Sequence, residues 1–217
     1  MTQVNTLETK VIDMIKVDES EDCYKAKILK HLSKHFDIYD EVWSKDKKSR
    51  IDYALKLKSN PYDEPVYFGL ECKRCDGKRG EEIGEYIKQA IRYSKSEFDV
   101  EGNGVYTRIP IFIAPALSLN YFVFNDATTT ATHNGVIRDA YIDRHTLYHD
   151  HHSVNGMLGA FGVGEIRQRV YSEKYKHFYF SFSNFTIWQS STDWATKEIR
   201  GLHLKNYQKL LKKINSL

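Results

Sequence analysis

Two short runs of alternating apolar and polar residues, separated by a turn, constrain the fold of this chain most strongly. In residues 51–58 the apolar side chains fall at every second position, which is the period of a half-buried strand. Residues 66–73 alternate in the same way. The segment between them, residues 59–65, contains Pro, Asn and Asp, which are typical of turns. We therefore predict two adjacent antiparallel strands.

The predicted hairpin carries two carboxylates and a lysine at positions that suit a metal site. Asp52 lies near the start of the first strand, while Glu71 and Lys73 share one face of the second. Cys72 is predicted to point into the core on the opposite face. Two converging carboxylates suit Mg²⁺ or Mn²⁺, and a neighbouring ammonium can orient water or stabilise developing negative charge. The alternative is a solvated face or a cross-strand ion pair without catalytic function.

A long amphipathic helix is predicted after the second strand, from about Glu81 to Phe98, because apolar residues recur there at helical spacing. Gln89 and Tyr93 are four residues apart, so they lie on the same flank of the buried stripe. We expect a polar and aromatic column on this flank, although an ordinary amphipathic border would have the same pattern. Its members are Glu82, Tyr86, Gln89 and Tyr93.

Together these elements give the segment from about Tyr24 to Ala116 a resemblance to the PD-(D/E)XK nuclease superfamily. The core of that family runs helix, three-strand meander, helix, strand. Asp52 matches the family aspartate, although Ile51 stands where the family name has proline. Glu71-Cys72-Lys73 matches the (D/E)-x-K element, and residues 89–93 match the Q-x-x-x-Y element of RecB-like members.

The resemblance implies an α/β protein with a restriction-endonuclease-like core. The first helix is expected over Tyr24–Phe36 and the first strand over Ile38–Trp43. The fourth strand is expected over Arg108–Ala114, where Pro110 indicates an edge or strand-start position. We expect one nuclease domain over residues 1–217. Its core would cover about 20–118, followed by an α+β elaboration over about 119–217 that selects the substrate or forms a homodimer.

The resemblance also implies a Mg²⁺- or Mn²⁺-dependent hydrolase of phosphodiester bonds in DNA. Asp52 and Glu71 would hold the metal, and Cys72 would add its backbone carbonyl. Lys73 would assist the attacking water. Gln89 and Tyr93 would position the metal shell or the DNA strand. A further acidic residue is expected at Glu41 or Glu21.

Several functional alternatives stay open from the sequence. The Q-x-x-x-Y element favours a RecB-like exonuclease over a restriction-type or junction-resolving endonuclease. RNA as a substrate is not excluded. A nucleic-acid-binding protein that keeps the fold without the chemistry is a second possibility, and an interaction domain with a surface ion network is a third.

Positive charge is concentrated beside the candidate site, whereas the net charge of +3 is modest. Two basic runs flank the acidic residues, where a phosphate backbone would have to pass. The expected nucleic-acid-binding residues are Lys47, Lys48, Arg50, Arg74, Lys78 and Arg79. The predicted C-terminal helix, residues 196–214, is also basic and is interpreted as a solvated face.

The rest of the sequence carries weaker signals. Residues 175–189 alternate and predict one or two further strands, with aromatics that pack in a core or stack on bases. Residues 136–148 are compatible with a helix. The histidine cluster at 145–152 is a zinc site, a surface histidine cluster or a phosphate contact. Cys72 and Cys75 form half of a zinc knuckle, but Cys23 is the only other cysteine, so a structural role is expected.

Composition bounds the class of protein. Hydrophobic residues make up 41% of the chain, which favours a folded protein over a disordered one. No apolar stretch approaches the roughly 18 residues of a membrane span, and no basic-then-apolar signal pattern begins the chain. We expect a cytoplasmic protein without a membrane partner.

Overall fold

The computed structural model describes residues 21–60, 62–73, 80–114, 158–172, 175–182, 185–190 and 201–217. The helices are α1 (Glu21–Leu32), α2 (Gly80–Ser94) and α3 (Leu204–Asn215). The strands are β1 (Phe36–Trp43), β2 (Arg50–Leu57), β3 (Tyr67–Cys72), β4 (Glu97–Phe98), β5 (Thr107–Arg108), β6 (Ile111–Ala114), β7 (Val163–Ser172), β8 (Tyr175–Phe182), β9 (Phe185–Gln189) and β10 (Gly201–Leu202). This mixture of helices and strands confirms the expected α/β class.

Eight of these strands form one mixed sheet in the order β1-β2-β3-β6-β7-β8-β9-β10. Strands β1 to β3 are an antiparallel meander, and β6 lies parallel to β3. Strand β7 is parallel to β6, and β8 to β10 continue the sheet in antiparallel fashion. Strands β4 and β5 pair separately as a small second sheet. The large sheet therefore joins strands from both halves of the sequence.

The two faces of β3 adjoin two separate layers of the core. Phe68, Leu70 and Cys72 pack in a cluster with residues of α1 and α3. The opposite face of β3 adjoins a second cluster, to which α2 contributes Ala90 and Tyr93. Glu71 is therefore directed to the α2 side, while the Cys72 side chain lies on the other side of the sheet.

The strands predicted over 175–189 are observed as β8 and β9, and much of their aromatic content is packed inside the protein. Phe180 is completely buried, with its ring centroid 5.1 Å from that of Phe68 and 5.4 Å from that of Trp188. Phe182 packs against the same cluster, whereas Phe185 is exposed. Core packing is thus the main role of these aromatics.

Several predicted boundaries were wrong by a few residues. Helix α1 ends at Leu32, and Phe36 already belongs to β1, where its side chain is buried in the core. Helix α2 ends at Ser94, because the chain turns so that Glu97 and Phe98 pair with β5. In both cases a strand pairing ends the helix earlier than the apolar pattern indicated.

The segment predicted as one strand over 108–114 is divided at Pro110. Thr107–Arg108 pairs with β4, whereas β6 begins at Ile111 and lies between β3 and β7. The edge position expected as one option for Pro110 is therefore wrong, and the strand-start option holds. A proline has no N–H to donate, but its carbonyl accepts a hydrogen bond from the Gly69 N–H at 2.7 Å.

The C-terminal helix begins later than predicted, at Leu204. Gly201 and Leu202 pair with Gln189 and Trp188 of β9, and this pairing holds them in a strand conformation. The predicted helix at 136–148 and the histidine cluster at 145–152 lie outside the described residues, as do Arg74, Cys75, Lys78 and Arg79. None of the described helices is both long and apolar enough to cross a membrane.

Candidate active site

The β2–β3 hairpin brings the two predicted carboxylates together. Tyr53 pairs with Leu70 in an antiparallel register, so one further step along the strands sets Asp52 opposite Glu71. The backbone nitrogen of Asp52 lies 3.4 Å from Oε2 of Glu71. Cys72 ends β3, and Lys73 follows it with its N–H donating to the carbonyl of Ala114 at 2.8 Å.

The carboxylate of Asp52 is held from two sides. The backbone N–H of Cys72 donates to Oδ2 at 2.7 Å, and the ammonium of Lys25 lies 3.2 Å from Oδ1. The Asp52 side chain keeps a quarter of its surface exposed. The carboxylate is therefore oriented by the protein and still accessible from outside.

Glu71 is a buried carboxylate, with only 3% of its surface exposed. Burial raises its pKa, the positive charge of Lys73 opposes that shift, and the negative charge of Asp52 adds to it. The Lys73 ammonium lies 2.6 Å from Oε1 of Glu71. The net upward direction means that the site disfavours the ionised form of Glu71 despite this close cation.

Helix α2 completes the network with the two residues predicted from the Q-x-x-x-Y spacing. The Lys73 ammonium donates to Oε1 of Gln89 at 2.7 Å, and the Gln89 amide donates to the Tyr93 hydroxyl at 2.5 Å. The ring centroid of Tyr86 lies 5.0 Å from the Lys73 ammonium, within reach of a cation–π interaction. Because Tyr93 is buried, its hydroxyl acts on the site through Gln89.

Lys25 joins this site although the sequence analysis did not select it. It lies on α1, with its ammonium 2.7 Å from Glu21 and 3.2 Å from Asp52. Burial lowers the pKa of Lys25, but the hydrogen bonds and charges of Glu21 and Asp52 outweigh that effect and raise it. The spacing of Glu21 and Lys25 indicates a helical ion pair. No sequence signal links Lys25 to Asp52, which is 27 positions further along the chain.

The structure separates the two candidates for a further acidic residue. Glu21 shares the ammonium of Lys25 with Asp52. Glu41, the other candidate, has an exposed carboxylate that pairs with Arg50 at 3.0 Å. Of the two, Glu21 is thus the one connected to the carboxylate network.

The donor set fits a hard divalent cation in part. Among the described residues, no group of three His, Cys, Asp or Glu side chains is placed to hold a metal ion. Asp52 and Glu71 supply two carboxylates, and water or a substrate oxygen would have to complete the shell. Burial raises the pKa of the Cys72 thiol, which faces the other layer of the core, so only its backbone could contribute.

Three of the six expected nucleic-acid-binding residues are described, and they lie near the start of β2. Lys47 and Lys48 are exposed in the turn between β1 and β2, and Arg50 is the first residue of β2. Arg50 is two residues before Asp52, roughly 7 Å along the strand. Arg50 is therefore close to Asp52 along β2, and Lys47 and Lys48 lie in the turn that precedes this strand.

Comparison with protein-family models, curated proteins and solved structures gives no match to this chain. The functional argument therefore rests on the residues and contacts described above.

Proposed function

We propose that this protein is a Mg²⁺- or Mn²⁺-dependent deoxyribonuclease of the PD-(D/E)XK type. The observation that carries the proposal is a continuous set of contacts among the residues that match the family motifs. Asp52 contacts the backbone of Cys72, and Glu71 contacts Lys73. Lys73 in turn contacts Gln89, and Gln89 contacts Tyr93. An incidental surface ion pair would not draw all of these positions together.

The arrangement of the surrounding elements supports the same proposal. Helix α1, the antiparallel strands β1 to β3, helix α2 and the parallel strand β6 follow the element order of the superfamily core. The small β4–β5 sheet is inserted between α2 and β6. The carboxylates lie where β2 begins and β3 ends, which is also where the Asp and Glu of the motif are expected.

Each residue has a separate task in this proposal. Asp52 and Glu71 would hold the divalent cation, which would supply an activated water and neutralise charge on the phosphate. The Cys72 N–H fixes Oδ2 of the Asp52 carboxylate, and the second oxygen, Oδ1, contacts the Lys25 ammonium. Lys73 is held between Glu71 and Gln89, a position from which its ammonium can orient water or stabilise an anionic transition state.

A cleavage assay tests the proposal. Linear, closed-circular and single-stranded DNA are incubated with Mg²⁺, Mn²⁺ or EDTA, using the wild type, Glu71→Gln and the control Glu85→Gln. Glu85 is an exposed residue of α2 that pairs only with Lys88 in the described structure. We expect metal-dependent cleavage by the wild type and the control, and none by Glu71→Gln. An intact closed circle would indicate an exonuclease.

A non-catalytic ion network is the competing interpretation, because each carboxylate already contacts a lysine. In that case no substrate is cut by any of the three proteins, with or without metal. Cleavage that persists in Glu71→Gln would also contradict the assignment, since it would come from a different site or from a contaminant.

A further inference from the structure

An exposed tryptophan lies at the end of β1, beside the start of β2. Trp43 is 44% exposed and pairs in register with Arg50. The guanidinium carbon of Arg50 lies 5.5 Å from the centroid of the Trp43 ring. An indole left in water beside a cation has an open face on which another ring can stack.

The turn next to Trp43 is held rigidly by its own hydrogen bonds. The Ser44 hydroxyl donates to Oδ1 of Asp46 at 2.6 Å, and the Lys48 N–H donates to the same oxygen at 3.1 Å. The Ser49 N–H donates to the Ser44 hydroxyl at 2.9 Å. These bonds hold Lys47 in a left-handed conformation with φ 58°, so the backbone is fixed before any ligand arrives.

The turn contains one acidic residue, Asp46, which accepts hydrogen bonds from the Ser44 hydroxyl and the Lys48 N–H and interacts with the charge of Lys48. Lys47 and Lys48 are exposed, and neither makes an ion pair with another residue in the described part of the chain. Their positive charge is thus available to an anionic ligand. Arg50 is paired with Glu41, but that pair is solvent-exposed and therefore weak enough to exchange for a phosphate.

The exposed ring is also close to the candidate active site. Arg50, its cross-strand neighbour, precedes Asp52 by two residues, roughly 7 Å along β2. A nucleic-acid strand with one phosphate at the carboxylates would bring a neighbouring nucleotide within reach of Trp43. A base within a duplex has both faces covered by its neighbours, so only an unstacked base could use the ring.

We propose that Trp43 and Arg50 form a stacking subsite for one base of a single-stranded DNA segment. Lys47 and Lys48 contact the phosphate backbone on either side of that base. The inference rests on the proposed nuclease function and adds the substrate class, a single strand or a frayed duplex end. Stacking on Trp43 would not require a particular DNA sequence, because every base has a face that can stack.

The test compares a strand with bases to one without. A labelled single strand of thymidines and an abasic strand of equal length are titrated with protein in EDTA, and binding is followed by fluorescence anisotropy. The variants are Trp43→Leu, Trp43→Phe and the control Tyr62→Leu. Tyr62 is also exposed, at 38%, but it lies in the turn at the far end of β2.

We expect the wild type to bind the thymidine strand more tightly than the abasic strand. Trp43→Leu should lose about 5- to 100-fold in affinity for the thymidine strand and nothing for the abasic strand. Trp43→Phe should keep most of the preference for the thymidine strand over the abasic strand, and Tyr62→Leu should keep all of it. Equal binding of both strands by the wild type, or an unchanged preference in Trp43→Leu, overturns the subsite.

Failure of this inference is distinguishable from failure of the proposed function. If DNA is cut in a metal-dependent way while Trp43→Leu binds both strands as the wild type does, the subsite falls and the nuclease stands. If the wild type cuts nothing but its preference for bases depends on Trp43, the subsite stands and the catalytic proposal falls.

Discussion

Two clusters beside the β2–β3 hairpin each contain a Lys–Glu ion pair, yet the surroundings shift the pKa values of the two glutamates in opposite directions. In the outer cluster Lys56 lies 2.7 Å from Glu101, which also accepts a hydrogen bond from the Tyr67 hydroxyl. These contacts lower the pKa of Glu101. In the inner cluster the Lys73 ammonium lies 2.6 Å from Glu71, but burial raises the pKa of Glu71.

The distance between the two charged groups therefore does not determine in which direction the pKa of the carboxylate is shifted. The outer cluster is partly exposed and resembles an ordinary surface ion pair, whose contribution to stability is small. In the inner cluster, burial disfavours the ionised form of Glu71 even though Lys73 favours it. A buried carboxylate of this kind beside a second carboxylate, Asp52, is the arrangement expected of a functional site.

The largest expected effect comes from removing the cation of the inner pair. Lys73→Met leaves Glu71 buried without its ammonium, and we expect a loss of about 3 kcal/mol in the free energy of unfolding at pH 7. Cleavage should fall by at least about 100-fold. The loss of stability should shrink at acid pH, because a protonated Glu71 no longer needs a cation. Urea unfolding at two pH values measures this.

Lys56→Met is the matched control for that variant. It removes a lysine of similar pairing distance from the outer cluster. We expect little change in the free energy of unfolding and no change in the cleavage rate. Equal destabilisation by the two substitutions would mean that the inner and outer pairs do not differ in the way proposed.

The second effect is a gain of stability when the buried charge is removed. The folded-state pKa of Glu71 is raised, so its stabilising contribution is present below the reference pKa of 4.5 and is lost as pH rises through the folded value. Glu71→Gln should therefore be more stable than the wild type at pH 7 and should have a higher melting temperature. The two proteins should converge near pH 4.

Glu101→Gln should show the reverse dependence. The pKa of Glu101 is lowered, so its contribution is present above 4.5 and disappears as pH falls through the folded value. The variant should thus be slightly less stable than the wild type at pH 7 and equal to it in acid. If the melting temperatures of Glu71→Gln and Glu101→Gln at pH 7 shift in the same direction from that of the wild type, the proposed contrast between the clusters is wrong.

A third, smaller effect concerns the cation that sequence analysis overlooked. The Lys25 ammonium lies against Oδ1 of Asp52 and therefore repels any divalent cation that approaches this oxygen. We expect Lys25→Met to bind Mn²⁺ about tenfold more tightly than the wild type, as measured by calorimetry. The control is Lys58→Met, which removes a lysine paired with Asp37 on β1. Weaker binding by Lys25→Met would assign Lys25 to orienting Asp52 instead.

The smallest effect is expected at the end of the network. Tyr93→Phe removes the hydroxyl that accepts a hydrogen bond from Gln89, without changing the packing of the ring. The free energy of unfolding should fall by about 1 kcal/mol, and the cleavage rate should fall by about tenfold or less. A fall as large as that of Lys73→Met would mean that Tyr93 contacts the reacting groups directly.

Local patterns predicted a large part of this structure. The alternation of 51–58 and 66–73 was sufficient to assign β2, β3 and the faces of Glu71 and Cys72, since strand periodicity is a property of the backbone. The four-residue spacing of Gln89 and Tyr93 was sufficient to place them together. In each of these cases the residues that interact belong to one element or to neighbouring elements.

Contacts between elements that are far apart along the chain could not be predicted from the sequence. The approach of Lys25 to Asp52 depends on how α1 packs against the sheet, and nothing in either segment encodes that angle. The end of α2 and the late start of α3 depend on strand pairings, Glu97 with Arg108 and Leu202 with Trp188, that override an apolar helical pattern. Tertiary pairing, not local propensity, decided these boundaries.

The central claim is that the inner cluster holds a divalent cation, and calorimetric titration with Mn²⁺ tests it most directly. The wild type, Glu71→Gln and Glu101→Gln are titrated at pH 7 under identical conditions. The account predicts saturable binding by the wild type and by Glu101→Gln, and a loss of at least about tenfold in affinity for Glu71→Gln. Absence of binding by the wild type, or equal binding by all three proteins, would contradict it.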